Sequence, residues 1–115
     1  MRELNFTIEK QKLSKSGDFS DIIKGSKGYL KCCFNLEGTD WINHKLIAVF
    51  EANGDEFAIK TNIDKTCMVP DEVTDSSYFK IRVVGVNSKS TITTNKVLIS
   101  QGGWYGYIGR SFSGC

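Results

Sequence analysis

The sequence predicts an all-β fold: an antiparallel β-sandwich of immunoglobulin-like or jelly-roll-like build in a single domain. Three observations predict it. Apolar residues recur with a period of two rather than 3.6. Turn-forming residues punctuate the chain about every ten residues, the spacing of short strands in sandwiches and barrels. No stretch carries the stripe of a long amphipathic helix.

The elements follow in order. Leu4, Phe6 and Ile8 alternate with Asn5, Thr7 and Glu9, which predicts a strand over 3–9. Lys10, Lys12 and Lys15 cluster after it and read as a solvated strand end. Ser16-Gly17-Asp18 and Gly25-Ser26-Lys27-Gly28 are turn signals. Leu30, Cys32, Phe34 and Leu36 form the next alternating row, within 28–36. Leu46, Ala48 and Phe50 share one face of a strand at 45–52, with Ile47 and Val49 on the other. Asn53-Gly54 is a strong hairpin signal, because both residues tolerate positive φ. It leads into a strand at 55–61 marked by Phe57 and Ile59. Phe79, Ile81 and Val83 mark 78–86, Val86-Asn87-Ser88-Lys89 turns the chain, and Thr91 to Ser100 reads as one last strand.

TCMVPDEV, residues 66–73, interrupts the pattern with the only proline. Pro70 has no N–H and biases Val69 to an extended conformation, so an extended segment ends there. Asp71-Glu72-Val73 then begins a short helical turn, with the acids at its positive end in a capping role. A nucleophilic reading of Cys67 needs a neighbouring base, and His44 is the sole histidine.

Composition narrows the function classes. The 115 residues suffice for one domain with its own core. A net charge of +2 gives no argument for nucleic acid or an anionic membrane. No apolar run is long enough to span a bilayer, and the N-terminus lacks the apolar core of a signal peptide, so folding in a reducing cytoplasm is expected. Cys32, Cys33, Cys67 and Cys115 include no CxxC pair, and adjacent Cys32 and Cys33 face opposite sides of a strand. Neither a metal nor another cofactor is expected, and buried thiols acting as small apolar residues are. A Cys32–Cys67 disulfide on virion or extracellular exposure stays open.

Five segments carry a family resemblance: LKCCFNL, DWINHKLIAVFEANG, CMVPDEV, YFKIRVVGVN and TITTNKVLIS. In order and spacing, from about Tyr29 to Gln101, they resemble a small β-sandwich module of tailed-bacteriophage virion proteins of Gram-positive hosts, of baseplate, fibre or head-fibre type. The resemblance implies a non-enzymatic structural protein that is made in the host bacterial cytoplasm and ends in the virion. Its implied partners are other virion proteins and further copies of itself. The relatives continue into a fibre or collagen-like region, whereas this chain stops at Cys115.

The sandwich is expected over residues 1–101 and a tail over 102–115. That tail, GGWYGYIGRSFSG before Cys115, holds five glycines in thirteen residues together with Trp104, Tyr105, Tyr107 and Phe112. Its rings could pack on their own sandwich, dock on a neighbouring subunit, or form a sugar-stacking platform. Gly102-Gly103 reads as a free hinge, so the tail is expected to serve assembly rather than the fold. Trp41, just before a strand, reads as a lid on the sandwich, with ligand contact as the alternative. Trp104, Tyr105, Tyr107, Phe112 and Trp41 are thus the candidate assembly or ligand residues. Two functions follow: a virion assembly and attachment module, or a carbohydrate-binding module using those aromatics on a host cell-surface glycan.

Overall fold

The computed structural model describes residues 1–103. Its strands are β1 (Arg2–Glu9), β2 (Lys12–Ser16), β3 (Leu30–Glu37), β4 (Lys45–Ala52), β5 (Asp55–Lys60), β6 (Thr66–Met68), β7 (Tyr78–Val86), β8 (Thr91–Thr93) and β9 (Val97–Ser100). One 3₁₀ turn, Asp71–Val73, follows β6. The strands make two sheets, a four-stranded one in the order β2-β1-β3-β6 and a five-stranded one in the order β5-β4-β7-β8, with β9 also on β7.

The expected alternation is the reason the sheets pack. Leu4, Phe6 and Ile8 of β1 and Leu30, Cys32 and Phe34 of β3 are buried against Leu46, Ala48 and Phe50 of β4 and Phe79, Ile81 and Val83 of β7. Phe6 stacks on Phe34 with ring centroids 5.4 Å apart. The all-β sandwich stands, and so does the hairpin: Asn53 and Gly54 have φ of 54° and 82° and join Ala52 to its partner Asp55.

The sandwich is not wholly antiparallel. β1 pairs β3 in parallel over its whole length, from Arg2↔Leu30 to Glu9↔Glu37. The cause is β2, unexpected from the sequence because Leu13 is the only apolar residue in its KLSKS. β2 folds back on one side of β1. The chain then crosses below the start of β1 through residues 17–29 and enters β3 on the other side. Buried Ile22 and the Phe19 ring, edge-on to Phe6 at 5.3 Å, hold that crossing to the core.

The last strand is also broken. Ile81 pairs Val97 and Val84 pairs Thr93, so three steps along β7 face four along its partner. That single extra residue is a bulge. Buried Thr94 fills it, its Oγ1 accepting the Val83 N–H at 2.9 Å. Asn95 is thereby turned to the other sheet, where its Oδ1 accepts from Leu13 N at 2.7 Å and its Nδ2 donates to Leu13 O at 3.1 Å.

Two local expectations are corrected. The acids give the 3₁₀ turn no side-chain cap; Asp71 Oδ1 instead accepts the Gly28 N–H at 3.3 Å across the crossing loop. Gly102 is not a free hinge. Its N–H donates to Ile22 O at 2.6 Å, its carbonyl accepts from Lys24 N at 3.0 Å, and it bridges Ile23 in parallel. Gln101 before it is buried, with Nε2 donating to Val73 O at 3.0 Å and Ser76 O at 2.8 Å.

Candidate functional site

Trp41 is not a surface aromatic. Its side chain is 2% exposed and caps the end of the core. Nε1–H donates to Lys10 O at 2.8 Å, in the turn of the opposite sheet. Gly85 makes room for the indole: a Cβ there would lie 2.5 Å from Trp41 Cζ3. The lid reading holds, and Trp41 is withdrawn from the candidate ligand residues. Trp104, Tyr105, Tyr107 and Phe112 lie outside the described residues.

Cys32 and Cys67 sit as small core residues. Cys32 and Cys67 are buried free thiols and Cys33 is a half-buried one. Among the described residues no group of three or more His, Cys, Asp or Glu is placed to hold a metal ion. His44 has other partners than Cys67. Its Nδ1 lies 3.0 Å from Ile42 O and its Nε2 2.8 Å from Ser90 Oγ. Because a carbonyl only accepts, Nδ1 carries a proton, and in the neutral ring Nε2 accepts from Ser90. This has the hydrogen-bond order of a nucleophile and its base, but the donors beside it are already used. Lys89 N–H and Ser90 N–H both donate to Asn87 Oδ1 at 2.8 Å, so neither stabilises an oxyanion at Ser90.

The surface that stands out is the outer face of the five-stranded sheet. Pairing places Ile47 between Lys60 and Val84, Val49 between Ala58 and Arg82, and Lys45 beside Val86. Half-buried Ile47, Val84 and Val86 thus form an apolar stripe across the two central strands, continued by Val49, which is only 7% exposed. Its rim is charged. Arg82 Nη2 lies 3.5 Å from Glu56, and Lys96 Nζ lies 2.8 Å from Glu51. The Lys96 hydrogen bond holds the Glu51 carboxyl below its ordinary range. At the other end, His44, Lys45, Lys60, Thr61 and Lys65 line an open pocket of about 240 Å³ beside Ile63, which is 97% exposed. Cations outnumber carboxylates along the rim.

The outer face of the other sheet is different. Glu3, Asn5, Thr7 and Glu9 of β1 alternate outward beside Cys33, Asn35 and Glu37 of β3. A water-facing antiparallel sheet reads apolar-in and polar-out, and β1 does so. β4 and β7 carry apolar residues on both faces, the pattern of strands covered on both sides. The signal lay in IAVF and VVGV, where the alternation fails. Comparison with known proteins gives the chain no relatives: no family model, no curated protein and no solved structure matches it.

Proposed function

We propose that this chain is a non-enzymatic virion structural module of a tailed bacteriophage, of fibre, baseplate or capsid-decoration type. It acts by protein–protein assembly, with itself and with other virion proteins, and through that assembly serves host attachment. The observation that carries the reading is the half-buried apolar trio Ile47, Val84 and Val86 on an outward sheet face, beside the more deeply covered Val49. A charged rim around an apolar centre is the usual anatomy of a protein interface. The five resembling segments supply the phage context, and all five contribute strands of this sandwich.

The glycan-binding alternative loses Trp41, which is buried, and rests on Trp104, Tyr105 and Tyr107 alone. A glycan array separates the two, since an assembly module binds no sugar by itself.

The test is sedimentation of the full chain beside an Ile47→Glu/Val84→Lys variant. Both positions are half-buried on the outer face, so the variant keeps its strand spectrum. The wild type is expected to self-associate and the variant to sediment as a folded monomer. Unchanged association of the variant would remove this face from the assembly, and a wild-type monomer that joins no virion protein would remove the reading itself.

A further inference from the structure

The ladder between β3 and β6 sets Cys32 directly opposite Cys67. The bonds on either side tell which kind of pair this is. Val69 N donates to Leu30 O at 3.0 Å, and Phe34 N donates to Lys65 O at 3.0 Å. In an antiparallel ladder hydrogen-bonded pairs recur at every second residue. Cys32 and Cys67, midway between those two, are therefore a hydrogen-bonded pair, with Cα atoms about 5.5 Å apart. That separation falls inside the range of about 4.4–6.8 Å that a disulfide spans. Both side chains point into the core, Cys32 fully buried and Cys67 3% exposed. The neighbouring Cys67 thiol, together with burial, holds the Cys32 thiol well above its ordinary pKa. Cys33 points to the opposite face and is excluded from the pair.

From this register we infer that Cys32 and Cys67 are a built-in cross-link site, closing an intrachain disulfide between central strand β3 and edge strand β6 by exchange with a small-molecule disulfide. The inference is independent of the proposed assembly role. Neither thiol is open to reagent in the closed fold, so the reaction begins at the edge. β6 has three residues and, among the described residues, pairs only with β3, which makes it a short strand able to open locally. When it opens, Cys67 loses its proton to solvent and the thiolate attacks one sulfur of the small disulfide. The reagent's S–S bond breaks, one small thiolate leaves and takes up a proton, and a mixed disulfide remains on Cys67. As β6 closes, Cys32 loses its proton and attacks the Cys67 sulfur, expelling the second small thiol. Two protein S–H bonds and one reagent S–S bond become one protein S–S bond and two small thiols. The product ties the short edge strand β6 to the four-stranded sheet. It also loops together the Trp41 lid and the β4–β5 hairpin, which lie between the two cysteines in the chain.

The experiment equilibrates the full chain in reduced and oxidised glutathione at a series of ratios, both as the native protein and during refolding from urea. The refolding arm removes access as a limit. Free thiols are then alkylated and the protein is mapped by mass spectrometry without reductant. The expected result is loss of two hydrogens, a linked peptide pair containing Cys32 and Cys67, and alkylated Cys33 and Cys115. The melting temperature of the oxidised chain should exceed that of the reduced chain by roughly 10 °C or more. Cys67→Ser should abolish both the link and the redox dependence of melting, and Cys33→Ser should keep both. The inference is overturned if Cys32 and Cys67 stay alkylatable after oxidative refolding. A bridge that uses Cys33 or Cys115, or an oxidised chain that melts no higher, overturns it equally.

Discussion

Gly85→Ala tests the packing of the Trp41 lid with one methyl group. Gly85 lies on the inward row of β7, opposite Leu46 of β4 and Ile92 of β8. It is not among the residues with positive φ, so alanine meets no backbone strain there. A compatible Gly→Ala change alone would stabilise by about 0.4–1 kcal/mol through the unfolded chain. The neighbours decide otherwise. The new Cβ would stand 2.5 Å from Trp41 Cζ3, 2.6 Å from Trp41 Cε3 and 3.3 Å from His44 Cβ. Carbon atoms rest about 3.5–4.0 Å apart, so the indole must retreat by about 1 Å. Its far edge is tied by the 2.8 Å bond from Nε1 to Lys10 O, which that retreat strains. Overpacking of this kind costs about 1–3 kcal/mol, and a lost hydrogen bond adds about 0.5–1.5 kcal/mol. The net expectation is a destabilisation of about 1–3 kcal/mol. It is read from urea unfolding by tryptophan emission in a Trp104→Phe background, where Trp41 is the only reporter. Trp41→Phe removes the offending ring atoms, so the double variant, with all four proteins of the cycle read by far-UV circular dichroism instead, should show a coupling of about 1 kcal/mol or more in the rescuing direction. A Gly85→Ala protein as stable as the wild type would refute the close contact.

Three further outcomes follow from the same structure. Phe34→Ala should cost about 3–5 kcal/mol in urea unfolding, because the ring is buried and stacked on Phe6; under about 1 kcal/mol would place it outside the core. A chain ending at Gly103 should melt like the full chain, while one ending at Ser100 should lose roughly 2–5 kcal/mol with the hydrogen bonds of Gln101 and Gly102; equal melting of the two would contradict the clasp. Alkali should weaken the reduced protein: the folded Cys32 thiol is held up by the adjacent Cys67 thiol and by burial, so the unfolded chain ionises first. That contribution is full below about pH 9 and falls as pH rises above it. Cys32→Val should flatten this alkaline limb of the urea midpoint, and an unchanged limb would assign it to other groups.

Much of the fold was legible in local pattern. The rows Leu4-Phe6-Ile8 and Phe79-Ile81-Val83 point inward as their alternation requires. Pro70 ends the extended segment as expected: β6 runs to Met68, and Val69 still donates its N–H to Leu30 O at 3.0 Å before the chain turns. β2 escaped detection because an edge strand with one apolar side chain gives no periodic signal. The candidate site was half legible. Ile47 and Val49 fall on the outer face of their strand by alternation, yet only pairing shows that Val84 and Val86 continue the patch. Trp41 was ambiguous, because whether a tryptophan before a strand lies in or out depends on a glycine far along the chain.

The sequence by itself determined the core strands, their inward faces and the Asn53-Gly54 hairpin, though neither β2 nor the break between β8 and β9, because each of the former depends on residues within a few positions of one another. Only the tertiary structure decided the rest. A period of two is the same for parallel and antiparallel pairing, so the β1–β3 match waited on the path of residues 17–29. The bulge at Thr94 needed the Val83 N–H as its partner. Gly102 lost its freedom to the backbone of Ile22–Lys24, some eighty residues earlier. Hydrogen-bond partners and steric room are set by chain segments that meet only after folding, and no local pattern encodes which segments those are.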